Sequence, residues 1–146
     1  MELISKISYF IHIISAILIG VSAFGFPTVE SFFRSENSLI LHKLSIKFSD
    51  FARNGGILSL ITGIYNWILI GDVRWWLIAK IVLFLWFVVS GIFVGVKYIA
   101  KREELLLANQ VSVEEVAKVS KAIAYYSYIN LVVFLVIVFL AVFKPF

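Results

Sequence analysis

Four long apolar runs occupy most of the 146-residue chain and limit what it can fold into. They cover about residues 4–26, 47–70, 75–99 and 123–143, the second with a polar lead-in. Since a bilayer core of about 30 Å needs roughly 20 apolar residues per helix, each run is long enough to span it. The chain is 62% hydrophobic and only 15% charged, which departs from soluble domains in both respects. We therefore predict an all-α integral membrane protein in which residues 1–146 form a single four-helix transmembrane bundle.

The first run is too long to be the apolar part of a cleaved signal peptide, which is about 7–15 residues, so we expect it to remain as a helix. The chain has no cysteine, which excludes disulfides and thiolate metal ligands. Its only methionine is Met1, so the soft ligands that suit copper are missing from the interior.

Basic residues predict the orientation of the bundle. The segments that follow the first and third runs, together with the helix starts beside them, hold nine of the 13 Lys and Arg residues: Arg34, Lys43, Lys47, Arg53, Lys97, Lys101, Arg102, Lys118 and Lys121. The opposite side holds four. Because cytoplasmic loops carry the excess of Lys and Arg, we expect both long loops in the cytoplasm, both termini outside, and a plasma-membrane location. The basic residues flank membrane helices, so no nucleic-acid partner is indicated.

Local signals predict where the helices end. Pro27 disfavours a helical residue before it and should end the first helix. The following loop contains "LILHKLSIKF", which has the character of an interfacial amphipathic helix and includes His42. A turn is expected near Asn109, and Ser112 with Glu115 three residues later forms a capping box for a new helix.

Small residues recur at four-residue spacing on two of the helices. Gly55, Ser59 and Gly63 form one ladder and Gly91 with Gly95 another. Such ladders let a second helix backbone approach closely. We expect helix packing within the chain; contact with another copy or a larger membrane complex is the alternative.

Polar side chains at membrane depth are the candidate site residues. His12 and Lys80 lie on helices that run in the same direction and share one level, and Asn66 lies near that level on the second helix. A neutral imidazole suits haem iron, and a lysine in a low-dielectric bundle suits a porphyrin propionate. Snorkelling of Lys80 to the interface is the alternative. Arg53 lies at a second polar level, where Asp50 can pair with it.

Three stretches resemble the HemJ family of four-helix membrane proteins. "IHIISAILIGVSAFGFP" is similar to the family's first helix, and "WWLIAKIVLFL" to its third, in which a lysine follows a tryptophan. The chain ends in "FLAVFKPF", which matches the family's Lys-Pro-Phe ending. The likeness extends over nearly the whole chain, and the order, spacing and length of the motifs fit.

The resemblance implies a haem-b protein that oxidises protoporphyrinogen IX to protoporphyrin IX. It implies His12 as the haem iron ligand, Lys80 as an essential lysine, and Arg53 as the basic residue before the second helix. We add Asn66 as a cofactor contact and expect a tetrapyrrole substrate and a quinone or respiratory-chain electron acceptor.

The chain departs from the family pattern at three motifs. Aliphatic residues around Ile17–Ile19 stand where the family's first helix has a tryptophan. "VVSGIFVG" lacks the histidine of the family's third helix, and "YYSYINLVV" lacks its fourth-helix motif. We therefore expect a divergent member. Two alternatives stay open: a metal-handling protein of the related CopD type, and a non-catalytic small subunit of a larger membrane complex.

Overall fold

The computed structural model describes residues 2–144, and these are helical apart from short connections, without a β-strand. Four long helical rods follow one another along the chain, and the third of them is built from three parts. The elements are α1 (Glu2–Glu36), α2 (Leu39–Ile70), α3 (Trp75–Val94), a π-helical turn (Gly95–Ile99), α4 (Ala100–Leu107) and α5 (Val113–Phe143). The fold is therefore all-α, as the apolar runs predict.

Three of the rods are long and apolar enough to cross a membrane: Glu2–Glu36, Trp75–Leu107 and Val113–Phe143. α2 is not among them, because polar residues such as Arg53, Asn54 and Asn66 interrupt its apolar run. Large apolar side chains cover the outside of the molecule; Ile68, Val89 and Val132, for example, are each more than half exposed. A surface of this kind suits contact with lipid rather than water.

The helices pack in the order α2, α1, α5, α3. α1 contacts α2 along most of its length and α5 on its other side, and α3 packs against α5. α2 and α3 have almost no contact with each other, although only Gly71–Arg74 separates them in the chain. The bundle is consequently open along one side, and we call this opening the α2–α3 cleft.

The tight contact between α1 and α2 depends on the first small-residue ladder. A Cβ atom on Gly55 would lie 2.8 Å from the backbone oxygen of Ser15, closer than real Cβ contacts come. Gly63, two turns further along, faces His12. The ladder on α2 is therefore used within the chain, as the packing interpretation predicts, and is not left for a second molecule.

The predicted end of the first helix at Pro27 is wrong. α1 continues through Pro27 to Glu36, and α2 begins at Leu39, so the expected long loop is reduced to Asn37 and Ser38. An internal proline costs a helix about 3 kcal/mol. Burial of Val29, Glu30 and Phe33 beyond the proline offsets that cost. "LILHKLSIKF" is likewise the start of α2 and not a separate interfacial helix.

The predicted start of the last helix is confirmed at its cap. α4 ends at Leu107 and α5 begins at Val113, after a turn that includes Asn109. The hydroxyl of Ser112 accepts a hydrogen bond from the backbone N–H of Glu115 at 3.4 Å. At the other end of the molecule, Gly71 ends α2 with a φ of 68°, a left-handed conformation that glycine adopts without strain.

Candidate functional site

The α2–α3 cleft contains two adjoining cavities. The first, the His12 compartment, has a volume of about 400 Å³ and is lined by His12, Lys80, Trp67 and apolar residues of α3 and α5. The second, the Tyr126 compartment, has a volume of about 470 Å³ and includes Tyr126 and Asn130. Leu60, Phe84 and Phe87 line both compartments. Each volume falls in the range of roughly 300–1,000 Å³ typical of small-molecule sites.

α2 holds His12 through a single hydrogen bond. His12 Nδ1 lies 2.8 Å from Thr62 Oγ1, and the Thr62 hydroxyl donates to the backbone oxygen of Leu58 at 2.7 Å. Because the hydroxyl proton is used on Leu58, Thr62 accepts from His12 Nδ1–H. The Nε2 atom then carries a lone pair, and no hydrogen bond occupies it within residues 2–144. This is the arrangement found for metal-binding histidines, whose second nitrogen donates to a neighbour.

Lys80 lies in the same compartment without a carboxylate partner. Its ammonium lies 5.6 Å from the centre of the Trp76 ring, and the ammonium of Lys144 lies 5.6 Å from the same ring. Among residues 2–144, no Asp or Glu comes within ion-pair distance of either lysine. Lys80 at the apolar cavity, with Lys144 near the same Trp76 ring, favours a ligand that carries an anionic group.

The structure separates the other two predicted site residues from this pair. Asn66 is buried between α1 and α2, where its Oδ1 accepts a hydrogen bond from Ser8 at 2.8 Å, and it does not line the His12 compartment. Arg53 lines the Tyr126 compartment and pairs with Asp50 at 3.0 Å, as the sequence predicts. Of the predicted residues, the fold therefore brings His12 and Lys80 together.

The residues of the His12 compartment fit a haem group. The one imidazole can serve as an axial ligand because the porphyrin itself supplies four nitrogen ligands. No three His, Asp or Glu side chains cluster anywhere in residues 2–144 as a bare metal ion would need. Lys80 and Lys144 could pair with propionate carboxylates at the polar end.

A second polar cluster, which the sequence analysis missed, lies at the opposite end of the bundle. Arg102 of α4 donates to both carboxylate oxygens of Glu30, at 2.7 and 2.8 Å, and its Nε donates to His42 Nδ1 at 3.0 Å. Ser45 donates to Glu30 at 2.7 Å, and the guanidinium stacks 4.2 Å from the ring of Phe33. All five side chains are at most 1% exposed. The cluster joins α1, α2 and α4.

His42 therefore lies in α2 and is buried, and its predicted position in a loop is wrong. Its Nδ1 accepts from Arg102, so the imidazole is neutral. Burial, and next to it the Arg102 guanidinium, lower the pKa of His42 below its usual 6.5, although Glu103 and Glu30 act in the opposite direction.

The π-helical turn between α3 and α4 gives Arg102 its position. A π turn inserts one extra residue, which rotates the following helix by about 100° relative to a regular continuation. Gly95, with no heavy atom within 4 Å of a Cβ placed on it, begins this turn. A regular helix would present a different face of α4 to Glu30.

No protein-family model, curated protein or solved structure matches this chain. The resemblance to HemJ proteins therefore stays a prediction. The residues that its motifs contribute are nevertheless the ones that the fold collects: His12 and Lys80 line one compartment, and Lys144 shares the Trp76 ring with Lys80.

We expect Arg102→Ala to lower the free energy of unfolding by about 3–5 kcal/mol, because it leaves the carboxylate of Glu30 buried without a partner. Lys101→Ala is the matched control. The Lys101–Glu104 pair is exposed, so its loss should cost no more than about 1 kcal/mol. Reversible unfolding in mixed micelles, followed by circular dichroism, measures both. Equal effects of the two substitutions would contradict the role given to the buried cluster.

We also expect the unfolding free energy to depend on pH through His42. The pKa of His42 is lower in the native state than in the unfolded chain, so the unfolded chain binds the proton first. The contribution of His42 to the free energy of unfolding is full above pH 6.5, and it is lost as the pH falls from there toward the native pKa of His42. Unfolding measured at several pH values between 7.5 and 5 tests this. His42→Gln keeps an acceptor for Arg102 but does not titrate, and it should flatten the profile; an unchanged profile would refute the prediction.

Proposed function

We propose that this chain is a haem-b-binding integral membrane protein of the HemJ type. The observation that carries the proposal is the imidazole of His12, which Thr62 orients so that its free Nε2 belongs to an apolar compartment shared with Lys80. A side chain oriented as a metal ligand, a cavity of suitable volume and a lysine without a carboxylate partner among residues 2–144 occur in one place. Polar and charged side chains such as these destabilise a membrane bundle unless a ligand binds to them.

In the proposed arrangement all four rods cross the plasma membrane. α2 has 32 residues, about 48 Å at the rise of an α-helix, and packs beside α1 for most of that length. Two of its polar residues are satisfied by α1: Thr62 by His12 and Asn66 by Ser8. The excess of Lys and Arg at the end of the bundle that holds the 37–38 and 108–112 connections favours this end as cytoplasmic and both termini as external.

The protein's own residues have distinct roles in this proposal. His12 would provide a nitrogen ligand to the haem iron, and Thr62 fixes the plane of its ring. Lys80, and Lys144 beside the same Trp76 ring, would pair with propionate carboxylates, and Phe84 and Leu60 would exclude water from the site. Haem, when bound, supplies a one-electron redox couple. Protoporphyrinogen IX, a lipid-soluble tetrapyrrole, would reach the cleft from the bilayer and be oxidised to protoporphyrin IX. Its electrons would pass to a quinone or respiratory-chain acceptor, and the protons would be released.

We expect the protein purified in mild detergent to show a Soret band with about one haem per chain. His12→Ala should abolish the band, whereas Ile13→Ala, which removes an exposed neighbour on the same helix, should keep it. Lys80→Ala should weaken haem binding by about 10–100-fold, since it removes a charge-assisted contact worth about 1.5–3 kcal/mol. Titration of the apoprotein with haemin, followed by absorbance, gives these affinities.

Two results of that measurement would reject the haem proposal. One is a colourless protein that haemin does not convert to a coloured form. The other is a Soret band of full intensity in His12→Ala. Copper that co-purifies in a His12-dependent way would favour the CopD-like alternative, and tight co-purification with larger subunits in the absence of haem would favour the subunit alternative.

The oxidase activity is tested by complementation. Expression of the chain should restore growth of a bacterial strain that lacks protoporphyrinogen oxidase, and Lys80→Ala should remove most of that rescue. Lys6→Ala is the control, since Lys6 is exposed and pairs only with Glu2. Haem binding without rescue would leave the haem site intact and reject the activity.

A further inference from the structure

The Tyr126 compartment is lined by a residue whose hydrogen-bond acceptor has no partner in the described part of the chain. Asn130 is only 8% exposed, and its Oδ1 atom is buried without a hydrogen-bond partner within residues 2–144. An unsatisfied buried group costs about 1–3 kcal/mol. Asn130 lines the compartment, and rotation of its amide would present Oδ1 to a molecule there that carries an O–H or N–H donor, which would remove the cost.

The walls of the compartment restrict the shape of that molecule. Phe26, Phe84 and Phe87 are among the lining residues, and aromatic walls suit a flat ring. Tyr126, one helical turn before Asn130 on α5, contributes a second polar group to the same floor. The compartment belongs to the α2–α3 cleft, where Ile57 and Val88 are exposed at the surface that we assign to lipid. The ligand therefore enters from the membrane.

The charges at this compartment favour a neutral head group. Its one cation, Arg53, already pairs with Asp50 at 3.0 Å, and both line the compartment. A phosphate would have to compete with that carboxylate. In the His12 compartment, by contrast, Lys80 has no such partner among the described residues.

We propose that the Tyr126 compartment binds the head group of an isoprenoid quinol. One hydroxyl of the quinol donates to Asn130 Oδ1, the ring lies between the phenylalanine side chains, and the tail leaves through the cleft. The site shares Leu60, Phe84 and Phe87 with the His12 compartment, so the ring lies beside the proposed haem. Quinol binding nevertheless depends only on residues of its own compartment and does not rest on the presence of haem.

Equilibrium dialysis of the whole chain in detergent tests this site, with the short-chain ubiquinol-1 and its dimethyl ether as probes under anaerobic conditions. The ether has the same ring but no O–H donor, so we expect it to bind about tenfold more weakly than the quinol. In Asn130→Leu, which has no acceptor, the two probes should bind with equal affinity. Tyr125→Phe is the control on the same helix, since Tyr125 is 71% exposed, and it should preserve the tenfold difference.

A second variant fills the compartment. A Cβ atom on Gly56 would meet only Phe84, at 4.0 Å. The side chain introduced by Gly56→Leu is therefore accommodated and extends into the cavity. Binding of ubiquinol-1 should fall at least tenfold. Ile61→Ala, at an exposed position on the same helix that lines neither compartment, should bind ubiquinol-1 like the wild type.

Three outcomes would overturn the quinol site. Equal binding of the quinol and its ether to the wild-type protein, which needs no variant, would show that the compartment accepts any apolar chain. Unchanged ubiquinol-1 binding in a folded Gly56→Leu protein would place the ligand elsewhere. Phospholipid phosphate that co-purifies with the wild type and is lost in Arg53→Ala would identify a lipid head group as the occupant.

Discussion

Helices α1 and α2 touch along most of their length because Gly55 lets the backbone of α2 approach that of α1 to within contact of Ser15. This close contact brings each polar side chain of one helix within reach of a partner on the other, so His12 meets Thr62 and Asn66 meets Ser8. Polar residues that would otherwise oppose membrane insertion are paired in this way. α1 and α2 therefore behave as one unit, to which α5 and then α3 attach.

The same arrangement explains why the bundle is open on one side. α3 rests on α5 and not on α2, so the residues between them face a cleft. At one end of the cleft lie the imidazole of His12, whose Nε2 has no hydrogen bond among residues 2–144, and the ammonium of Lys80. Further along the cleft lies Asn130, whose amide oxygen has no donor among the same residues. The buried Glu30–Arg102 pair holds α4, and through it α3, at the far end of the molecule. The bundle is thus tied at that end and can leave its middle open to lipid-soluble ligands.

The sequence predicts the helical class and part of the candidate site, but it does not predict the contacts between residues that are far apart in the chain. Apolar runs gave the helical class, and the shared depth of His12 and Lys80 placed them in one compartment correctly. The predicted helix end at Pro27 was wrong because the rule that a proline ends a helix considers only the local sequence. Burial of Glu30 and Phe33 beyond Pro27 stabilises the continued helix. The cluster of Glu30, His42 and Arg102 joins residues up to 72 positions apart, and its geometry depends on a π turn that leaves no clear signal in "GVKYI". Asn66 shares a level with His12 but not its compartment, because depth does not specify which face of a helix a residue occupies.

Chemical rescue of His12→Gly by free imidazole tests the central assignment most directly. Glycine removes the ring and leaves space beside Thr62 and Gly63, where an added imidazole can bind. If His12 is the haem ligand, the variant mixed with haemin lacks the wild-type absorbance spectrum, and imidazole restores it in a concentration-dependent way. A spectrum that is already normal without imidazole, or one that imidazole fails to restore in a folded variant, would contradict the assignment of His12 as the residue that holds the haem.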